Sequence, residues 1–269
     1  DTEGHLQISN GVKGMCYVEL TCHGANTDLH SSNAAIVENP AWRLIWALST
    51  IKSQDEKVNI KGFYDKVLTP TDEEKEILEK MTYRENETLN NLGLSSFLLD
   101  LSGLPLKEKL TFQPTCTICG IDSGYTGEGS KTVLPSKATA KIDFRLVPNQ
   151  DPYEIRDLLR QHLDEHGYSD IEVDLLWAEY AAKTAPDNAL AQSVTKTAKQ
   201  VYGKEPTQIP ISPATGPMYV LCQQQGIPSV SVGVSNATSR NHAPNENIIL
   251  EDFVEGIKHI AAIIDDFAK

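Results

Sequence analysis

Two histidines in polar loops are the residues of this sequence best suited to chemistry. His30 lies in Asp-Leu-His-Ser-Ser, between a predicted strand and a predicted helix. His242 lies in Ser-Arg-Asn-His-Ala-Pro-Asn-Glu, before the last predicted helix. Functional side chains concentrate in such loops, because a rigid scaffold positions them while leaving them accessible. Taken alone, however, each residue fits an ordinary surface histidine at least as well as a ligand.

A glycine-rich segment at residues 124–132, Gly-Tyr-Thr-Gly-Glu-Gly-Ser-Lys-Thr, approaches the pattern of a phosphate-binding loop. Two features contradict that interpretation. Ser130 separates the last glycine from Lys131, and the following Val-Leu-Pro leads into a strand rather than a helix. The segment therefore favours a hairpin loop whose backbone can approach a ligand closely.

Two further residue pairs resemble parts of a metal or catalytic site, but their sequence context favours structural interpretations. Cys116 and Cys119 have the spacing of half a zinc site, yet residues three apart on a predicted strand point to opposite faces. We interpret them as two packed cysteines. Glu73 and Glu74 follow Thr71 in the form of a capping box, so we expect them on the solvated face of a charged helix.

The first two thirds of the chain have the order of elements of a ferredoxin-like split βαβ fold. Residues 138–147 alternate between apolar and polar, which predicts a strand with one buried face and with Arg145 on the other face. Asn39 and Asp151, each followed by proline, are typical of helix starts. We predict one four-stranded antiparallel sheet with two helices on one face, built from segments 14–22 (strand), 39–51 (helix), 111–121 (strand), 138–147 (strand), 151–166 (helix) and 171–177 (strand).

Residues 66–110 interrupt this order, and we interpret them as an insertion. After residue 178, helices alternate with short strands, which predicts an α/β layer. These elements are predicted at 185–202 (helix), 208–211 (strand), 218–225 (helix), 227–234 (strand) and 250–267 (helix). We therefore divide the chain into residues 1–178 and 179–269. Because the second part has few strands, we expect it to be one half of a domain whose other half precedes Asp1.

The composition argues against several classes of protein. The 269 residues are 40% hydrophobic and 23% charged, which is typical of a globular protein with a core. No apolar run reaches the roughly 18 residues of a membrane span, and the net charge of −13 repels phosphate backbones. We therefore expect neither a membrane nor nucleic acid as a partner. Five unclustered cysteines favour a reducing compartment, so we expect the cytoplasm.

Seven short motifs follow one another along nearly the whole chain. They are Gly-Val-Lys-Gly (11–14), Asp-Leu-His-Ser (28–31), Asn-Pro-Ala (39–41), Gly-Phe-Tyr-Asp (62–65), Lys-Thr-Val-Leu-Pro (131–135), Phe-Arg-Leu-Val-Pro (144–148) and His-Ala-Pro-Asn-Glu (242–246). In this order the sequence resembles the M20 metallopeptidases, which include di-zinc aminoacylases, carboxypeptidases and dipeptidases. Agreement is weakest between residues 66 and 110.

The resemblance implies roles for individual residues. His242 matches a zinc-ligand histidine near the C-terminus of the family. His30 matches the lid-domain histidine that reaches into the neighbouring subunit's site and polarises the scissile carbonyl. Thr132 matches a lid residue that contacts the substrate across the dimer.

Two more positions match substrate-binding residues of the family. Arg145 matches the arginine that clamps the substrate carboxylate; its alternative role is that of a cross-strand charge partner for Asp143 or Lys141 on an exposed sheet face. Gly216 stands where a substrate-binding serine often occurs, in Ser-Pro-Ala-Thr-Gly-Pro (212–217). Its backbone N–H could still bind substrate, but the side-chain contact is lost.

The family also uses a His-x-Asp pair, a bridging Asp, a Glu-Glu pair and a further carboxylate ligand, which we expect upstream of this chain. One histidine cannot hold two zinc ions. The resemblance therefore implies that residues 1–178 are a lid and dimerisation domain and that residues 179–269 are the C-terminal part of a catalytic domain.

The resulting hypothesis is that the intact protein is a homodimeric hydrolase of dipeptides or N-acyl amino acids. It would depend on two zinc ions or on other divalent metals, which this chain alone would hold poorly. The alternative is a non-catalytic dimerisation fragment with no activity of its own.

Overall fold

The structure, a computed structural model, describes residues 1, 3–236 and 238–269. Its strands are β1 (Gln7–Ser9), β2 (Gly11–Val12), β3 (Gly14–His23), β4 (Leu29–His30), β5 (Thr115–Ser123), β6 (Val133–Leu134), β7 (Lys137–Leu146), β8 (Glu172–Glu179), β9 (Ala182–Lys183), β10 (Thr207–Ile209) and β11 (Ser231–Val232). Its α-helices are α1 (Pro40–Ile51), α2 (Asp72–Lys80), α3 (Glu85–Leu92), α4 (Gly103–Phe112), α5 (Pro152–Glu165), α6 (Ala189–Tyr202) and α7 (Leu250–Phe267). Short 3-10 helices span Ser31–Ala35 and Leu98–Asp100, and a π-helical turn spans Val220–Gln224.

These elements form two units. The two-segment unit consists of Gly14–Leu68 and Gln113–Tyr180. The three-segment unit consists of Asp1–Lys13, Thr69–Phe112 and Ala181–Lys269.

The two-segment unit contains the predicted antiparallel sheet, with strand order β5-β7-β3-β8. The central strands β3 and β7 pair from Gly14↔Leu146 to His23↔Lys137. β5 joins the outer side of β7, and β8 joins the outer side of β3. This is the strand order of a ferredoxin-like fold, so the predicted topology is confirmed.

One face of this sheet forms the core of the unit. Alternate residues of β7, including Ile142 and Phe144, are buried in a core that also contains residues of α1 and α5, as the period of two predicts. The Asn39 side chain accepts a hydrogen bond from the Ala41 N–H over 2.8 Å and so begins α1. Asp151 begins α5 in the same way, accepting from the Tyr153 N–H over 2.8 Å. The two predicted helix starts are thus confirmed.

The three-segment unit brings distant parts of the chain into one small sheet, with strand order β10-β1-β11. β1 runs parallel to β10 and antiparallel to β11. Leu6 and Ile8 bury their side chains there against Val194 and Ala198 of α6, and α7 packs on α6. Throughout the described ranges, no helix combines the length and the apolar character needed to cross a membrane.

Most of residues 66–110, interpreted from the sequence as an insertion, form an integral part of the three-segment unit. Thr69–Phe112 carries α2, α3 and α4 and clusters with Ala181–Lys269. Leu78, Met81 and Phe112 form an apolar cluster with Ile211, and this burial explains the association. The structural division therefore differs from the one at residue 178, because Thr69–Phe112 and Asp1–Lys13 lie with the C-terminal part.

Glu74 also differs from its expected placement. The capping box is present, since the Thr71 hydroxyl accepts from the Glu74 N–H and the Glu74 carboxylate accepts from the Thr71 N–H. Glu73 is exposed as expected, but Glu74 is only 3% exposed and forms an ion pair with Lys183. The expectation of a solvated face was wrong for Glu74, because a cation from a distant strand neutralises it.

Several predicted segments are shorter or start later than expected; the helix predicted at 185–202, for example, begins at Ala189. The strand predicted at 111–121 begins at Thr115, because the preceding residues complete α4. The helix predicted at 218–225 is only a π-helical turn. The strand predicted at 227–234 is reduced to Ser231–Val232.

Candidate functional site

His30 and Thr132 lie beside each other in the two-segment unit. Strand β4 pairs with β6, which places His30 opposite Val133. The Ser31 N–H donates to the Thr132 carbonyl over 3.0 Å. Both His30 and Thr132 are exposed. Two residues that the resemblance assigns to substrate contact, and that are far apart in sequence, therefore share one surface.

Side chains on both sides of His30 anchor this loop. The Asp28 carboxylate accepts hydrogen bonds from the Ser136 N–H and the Ser136 hydroxyl, both at 2.9 Å. These bonds stabilise the charged carboxylate and lower the pKa of Asp28. The Asn33 amide donates to the His30 carbonyl over 3.0 Å. The backbone at His30 is thus held from its own loop and from the start of β7.

The imidazole of His30 contacts Ser32 through a single ring nitrogen. The Ser32 N–H donates to Nδ1 over 3.1 Å, and the Ser32 hydroxyl oxygen lies 2.9 Å from the same nitrogen. His30 thereby caps the 3-10 helix Ser31–Ala35. Nε2 of this exposed ring takes part in no hydrogen bond with the described residues. No pattern in the sequence marks Ser32, since its spacing from His30 is not distinctive.

Arg145 lies on the sheet face opposite the helices, as the alternation predicts. Its Nε donates to Asp143 Oδ2 over 2.8 Å, so the charge pair with Asp143 considered as the alternative role is present, although both residues lie on β7 and not on neighbouring strands. The Asp143 side chain is 13% exposed, and its Oδ1 is buried without a hydrogen-bond partner among the described residues. Asp143 therefore restricts the orientation of the guanidinium from the buried side.

His242 lies in a loop with unusual backbone geometry. His242, Arg240 and Asn245 all have positive φ values, of 63°, 56° and 64°. Non-glycine residues rarely adopt this left-handed conformation, and such residues cluster at functional sites. Hydrogen bonds support the loop, including one from the Asn247 N–H to the Ser239 carbonyl over 3.0 Å. The backbone outliers are a reason to treat this loop as functional, beyond its polar composition.

The residues around His242 do not by themselves form a metal site. The depression there, of about 560 Å³, is lined by Ser235, Asn241, His242, Glu246, Asn247 and Ile248. Among the described residues that line it, Glu246 is the only carboxylate. In the part of the chain that the structure describes, no group of three or more His, Cys, Asp or Glu side chains is placed to hold a metal. Zinc needs at least three protein ligands, so these residues alone do not fit one.

Gly216 lies in the three-segment unit, in a loop tied to the end of β2. The Lys13 N–H donates to the Ser212 and Ala214 carbonyls over 3.2 and 2.9 Å. Of the atoms that the structure describes, a Cβ atom at Gly216 would meet only Val12 Cγ1, at 3.8 Å. Steric crowding therefore does not require glycine here, and a serine would be accommodated.

The remaining candidates behave as structural features. The glycine-rich segment lies between β5 and its antiparallel partner β7, and no helix follows it, as expected for a hairpin loop. There the Tyr125 hydroxyl donates to the Glu128 carbonyl over 2.7 Å. Cys116 is buried, but Cys119 is exposed at an irregularity in the pairing of β5 with β7, so the expectation of two packed cysteines was wrong for Cys119. All five cysteines are free thiols.

The three-segment unit also contains a cavity of about 520 Å³ that the sequence does not predict. Its lining includes Arg84, Tyr83, Asn236 and Asp252. These residues come from separate segments without a shared motif, so no sequence signal marks them as neighbours. Of the five predicted site residues, His30, Thr132 and Arg145 belong to the two-segment unit, and Gly216 and His242 belong to the three-segment unit.

Comparison with protein families finds a match to the peptidase dimerisation domain of the M20 group over residues 10–171. The Cys-Gly metallodipeptidase of Schizosaccharomyces pombe is 23% identical over 274 residues, covering 97% of this chain and 56% of that protein. The beta-Ala-His dipeptidase of Homo sapiens is 24% identical over 271 residues, covering 97% of this chain and 53% of that protein. The chain thus spans about half the length of these curated relatives.

A solved structure is similar at the level of the fold and of the sequence. An M20 family metallo-carboxypeptidase from Sulfolobus solfataricus superposes with a TM-score of 0.91 and is 40% identical. The match covers 97% of this chain and 60% of that one.

Proposed function

Because the chain belongs to the M20 peptidases, whose dimerisation domain matches residues 10–171, we propose that the whole protein is a metal-dependent hydrolase of amide bonds. Dipeptides are the proposed substrates, with N-acyl amino acids as a second class. The observation that carries this proposal is the similarity, along 97% of the chain, to proteins named metallodipeptidases and dipeptidases. Zinc is the proposed metal.

In this proposal the two units have different tasks. The two-segment unit is the lid and dimerisation domain, and the three-segment unit belongs to the catalytic domain. His242 supplies one metal ligand, and the other ligands come from outside the described residues. The backbone geometry of the His242 loop supports a functional assignment, whereas the metal itself is inferred from the relatives' names.

His30 is the proposed catalytic residue of the two-segment unit. A ring N–H that points at the scissile carbonyl would stabilise the negative charge that develops on its oxygen. Thr132 lies next to His30 and would contact the same substrate. We propose that both act on the active site of the partner subunit, as the family resemblance implies.

Arg145 and Gly216 are the proposed substrate-binding residues. A guanidinium can bind a carboxylate through two parallel hydrogen bonds, which suits the C-terminal carboxylate of a dipeptide. Asp143 orients this guanidinium through the contact at Nε. Gly216 would contribute its backbone N–H alone. Cytoplasmic location is also a proposal, and the five free thiols are compatible with it.

The proposed dimer interface is an apolar surface formed by α1 and β5. On α1, Trp42, Ile45 and Trp46 are 56%, 45% and 51% exposed. On β5, Ile118 and Ile121 pair with residues of β7 that point toward the helices, yet both side chains are exposed. α1 packs on β7 and β3, whereas α5 packs on β3 and β8.

The helix side of β5 is therefore left uncovered beside α1. We name these five residues the α1–β5 face. Its proposed occupant is the same face of a second copy, since the family match is to a dimerisation domain.

A second candidate function is a dimerisation module without catalysis. It is favoured by the finding that His, Cys, Asp and Glu side chains within the described ranges form no metal-holding group. The metal content and dipeptidase activity of the whole protein distinguish the two, because both candidate functions imply that this chain alone is inactive. For this chain alone with excess zinc or manganese, we expect no hydrolysis above a metal-only control. Robust turnover by this chain would contradict this placement of the ligands.

The catalytic proposal is tested by complementation between two inactive variants of the whole protein. His30→Ala should nearly abolish turnover while metal binding is retained, since an oxyanion donor contributes about 10²–10³ in rate. His242→Ala should lose both metal and turnover. When the two variants are mixed, half of the dimers pair one variant with the other, and each has one site with both histidines. Activity should recover to roughly a quarter of wild type in a symmetric dimer.

Subunit exchange must be verified by mass spectrometry of the mixed dimers. Recovery shows that the two residues act in one site from different subunits. If exchange is complete and activity stays at the level of the single variants, the role of His30 in the partner's site is wrong.

A further inference from the structure

The hydrogen bond between Ser32 and His30 determines which nitrogen of the ring carries the proton. A backbone N–H can only donate, so the Ser32 N–H at 3.1 Å requires a lone pair on Nδ1. In the neutral imidazole the proton must then be on Nε2. The Ser32 hydroxyl, 2.9 Å from Nδ1, can donate to the same lone pair.

The tautomer matters because only one form suits the proposed reaction. With the proton on Nε2, the exposed side of the ring is a hydrogen-bond donor. With the proton on Nδ1, the same side would present a lone pair and repel a carbonyl oxygen that gains negative charge. The choice of tautomer therefore decides whether His30 stabilises or destabilises the transition state.

We propose that Ser32 is a positioning residue, which holds His30 in the Nε2–H form as a preorganised donor. The proposal rests on the function proposed for His30. The hydrogen bonds from the Asn33 amide to the His30 carbonyl and from the Ser31 N–H to Thr132 hold the backbone on either side. The donor is thus oriented before any substrate binds, so no reorganisation is needed during the reaction.

Nitrogen NMR of the histidine rings tests the proposal without requiring activity. This chain is labelled with ¹⁵N and measured at pH 8, above the ordinary histidine pKa of about 6.5. We expect His30 in the Nε2–H form. Ser32→Ala should shift the tautomer ratio toward Nδ1–H by about 2- to 10-fold, because one neutral hydrogen bond is lost. Ser32→Thr keeps both donors and should restore the ratio.

The matched control is Ser123→Ala, which removes a hydroxyl that donates to the Lys137 carbonyl over 2.9 Å. This variant should leave the tautomer ratio of His30 unchanged. A wild-type His30 with its proton on Nδ1 overturns the proposal. A tautomer ratio of His30 that is the same in Ser32→Ala as in wild type also overturns it.

Kinetics of the whole enzyme provide the second measurement. Ser32→Ala should lower kcat by about 2- to 10-fold with KM nearly unchanged, because the lost orientation acts on the transition state. A loss that falls on KM instead contradicts a positioning role. Wild-type kcat in His30→Ala would refute the proposed function while the tautomer result stands, so the two failures are distinguishable.

Discussion

Replacing Trp46 with alanine should weaken self-association of the chain through the α1–β5 face. About half of the surface of Trp46 is exposed, and its ring stacks on Trp42 with ring centroids 5.9 Å apart. An aromatic side chain buries about 200 Å² when covered, so about 100 Å² per tryptophan is available for a partner. At about 25 cal/mol per Å², this corresponds to about 2.5 kcal/mol for each copy.

A two-fold axis places the same residue on both sides of the interface, which doubles the effect to about 5 kcal/mol. This is an upper limit, because buried area converts only partly into affinity. We therefore expect the dimer dissociation constant to rise between about 10-fold and about 10³-fold. Sedimentation equilibrium over a wide range of concentrations measures it, and circular dichroism confirms that the variant is folded.

Trp177 provides a matched control on the opposite edge of the sheet. It lies in β8 and is 59% exposed, so Trp177→Ala removes a comparable ring without touching the proposed interface. The dimer dissociation constant of the Trp177→Ala variant should equal that of wild type. A wild-type chain that stays monomeric at all concentrations would refute the interface. A larger effect for Trp177→Ala than for Trp46→Ala would place the interface at β8.

Two further predictions concern stability. Glu74→Ala should lower the free energy of unfolding by about 2–4 kcal/mol, because it leaves Lys183 unpaired and removes half of the capping box. In urea titrations, the control Glu73→Ala, at an exposed position, should change the free energy of unfolding by less than about 0.5 kcal/mol. Equal losses for the two variants would contradict the buried ion pair. Burial lowers the pKa of His162 and His259, so the unfolded state takes up protons first as the pH decreases. Stability should be constant well above pH 6.5 and fall as the pH drops below about 6.5, until the lower folded-state pKa values are passed. His162→Gln should reduce this slope, and an unchanged slope would show that His162 is not protected from protonation.

The sequence by itself determined the fold of the two-segment unit. Period-two alternation identified the buried face of β7 and placed Arg145 on the opposite face. Asn39 and Asp151 marked the starts of α1 and α5, and the order of elements then predicted the strand order. These signals succeed because periodicity and capping depend on residues only a few positions apart.

Only the tertiary structure decided which distant segments meet. Lys183 neutralises Glu74 from another part of the chain, which turned an expected solvated carboxylate into a buried one. Thr69–Phe112 joined the C-terminal segment, and β4 met β6 to place Thr132 beside His30. No local window of sequence contains these pairings, because they depend on which long-range arrangement buries the most apolar surface and pairs the most polar groups.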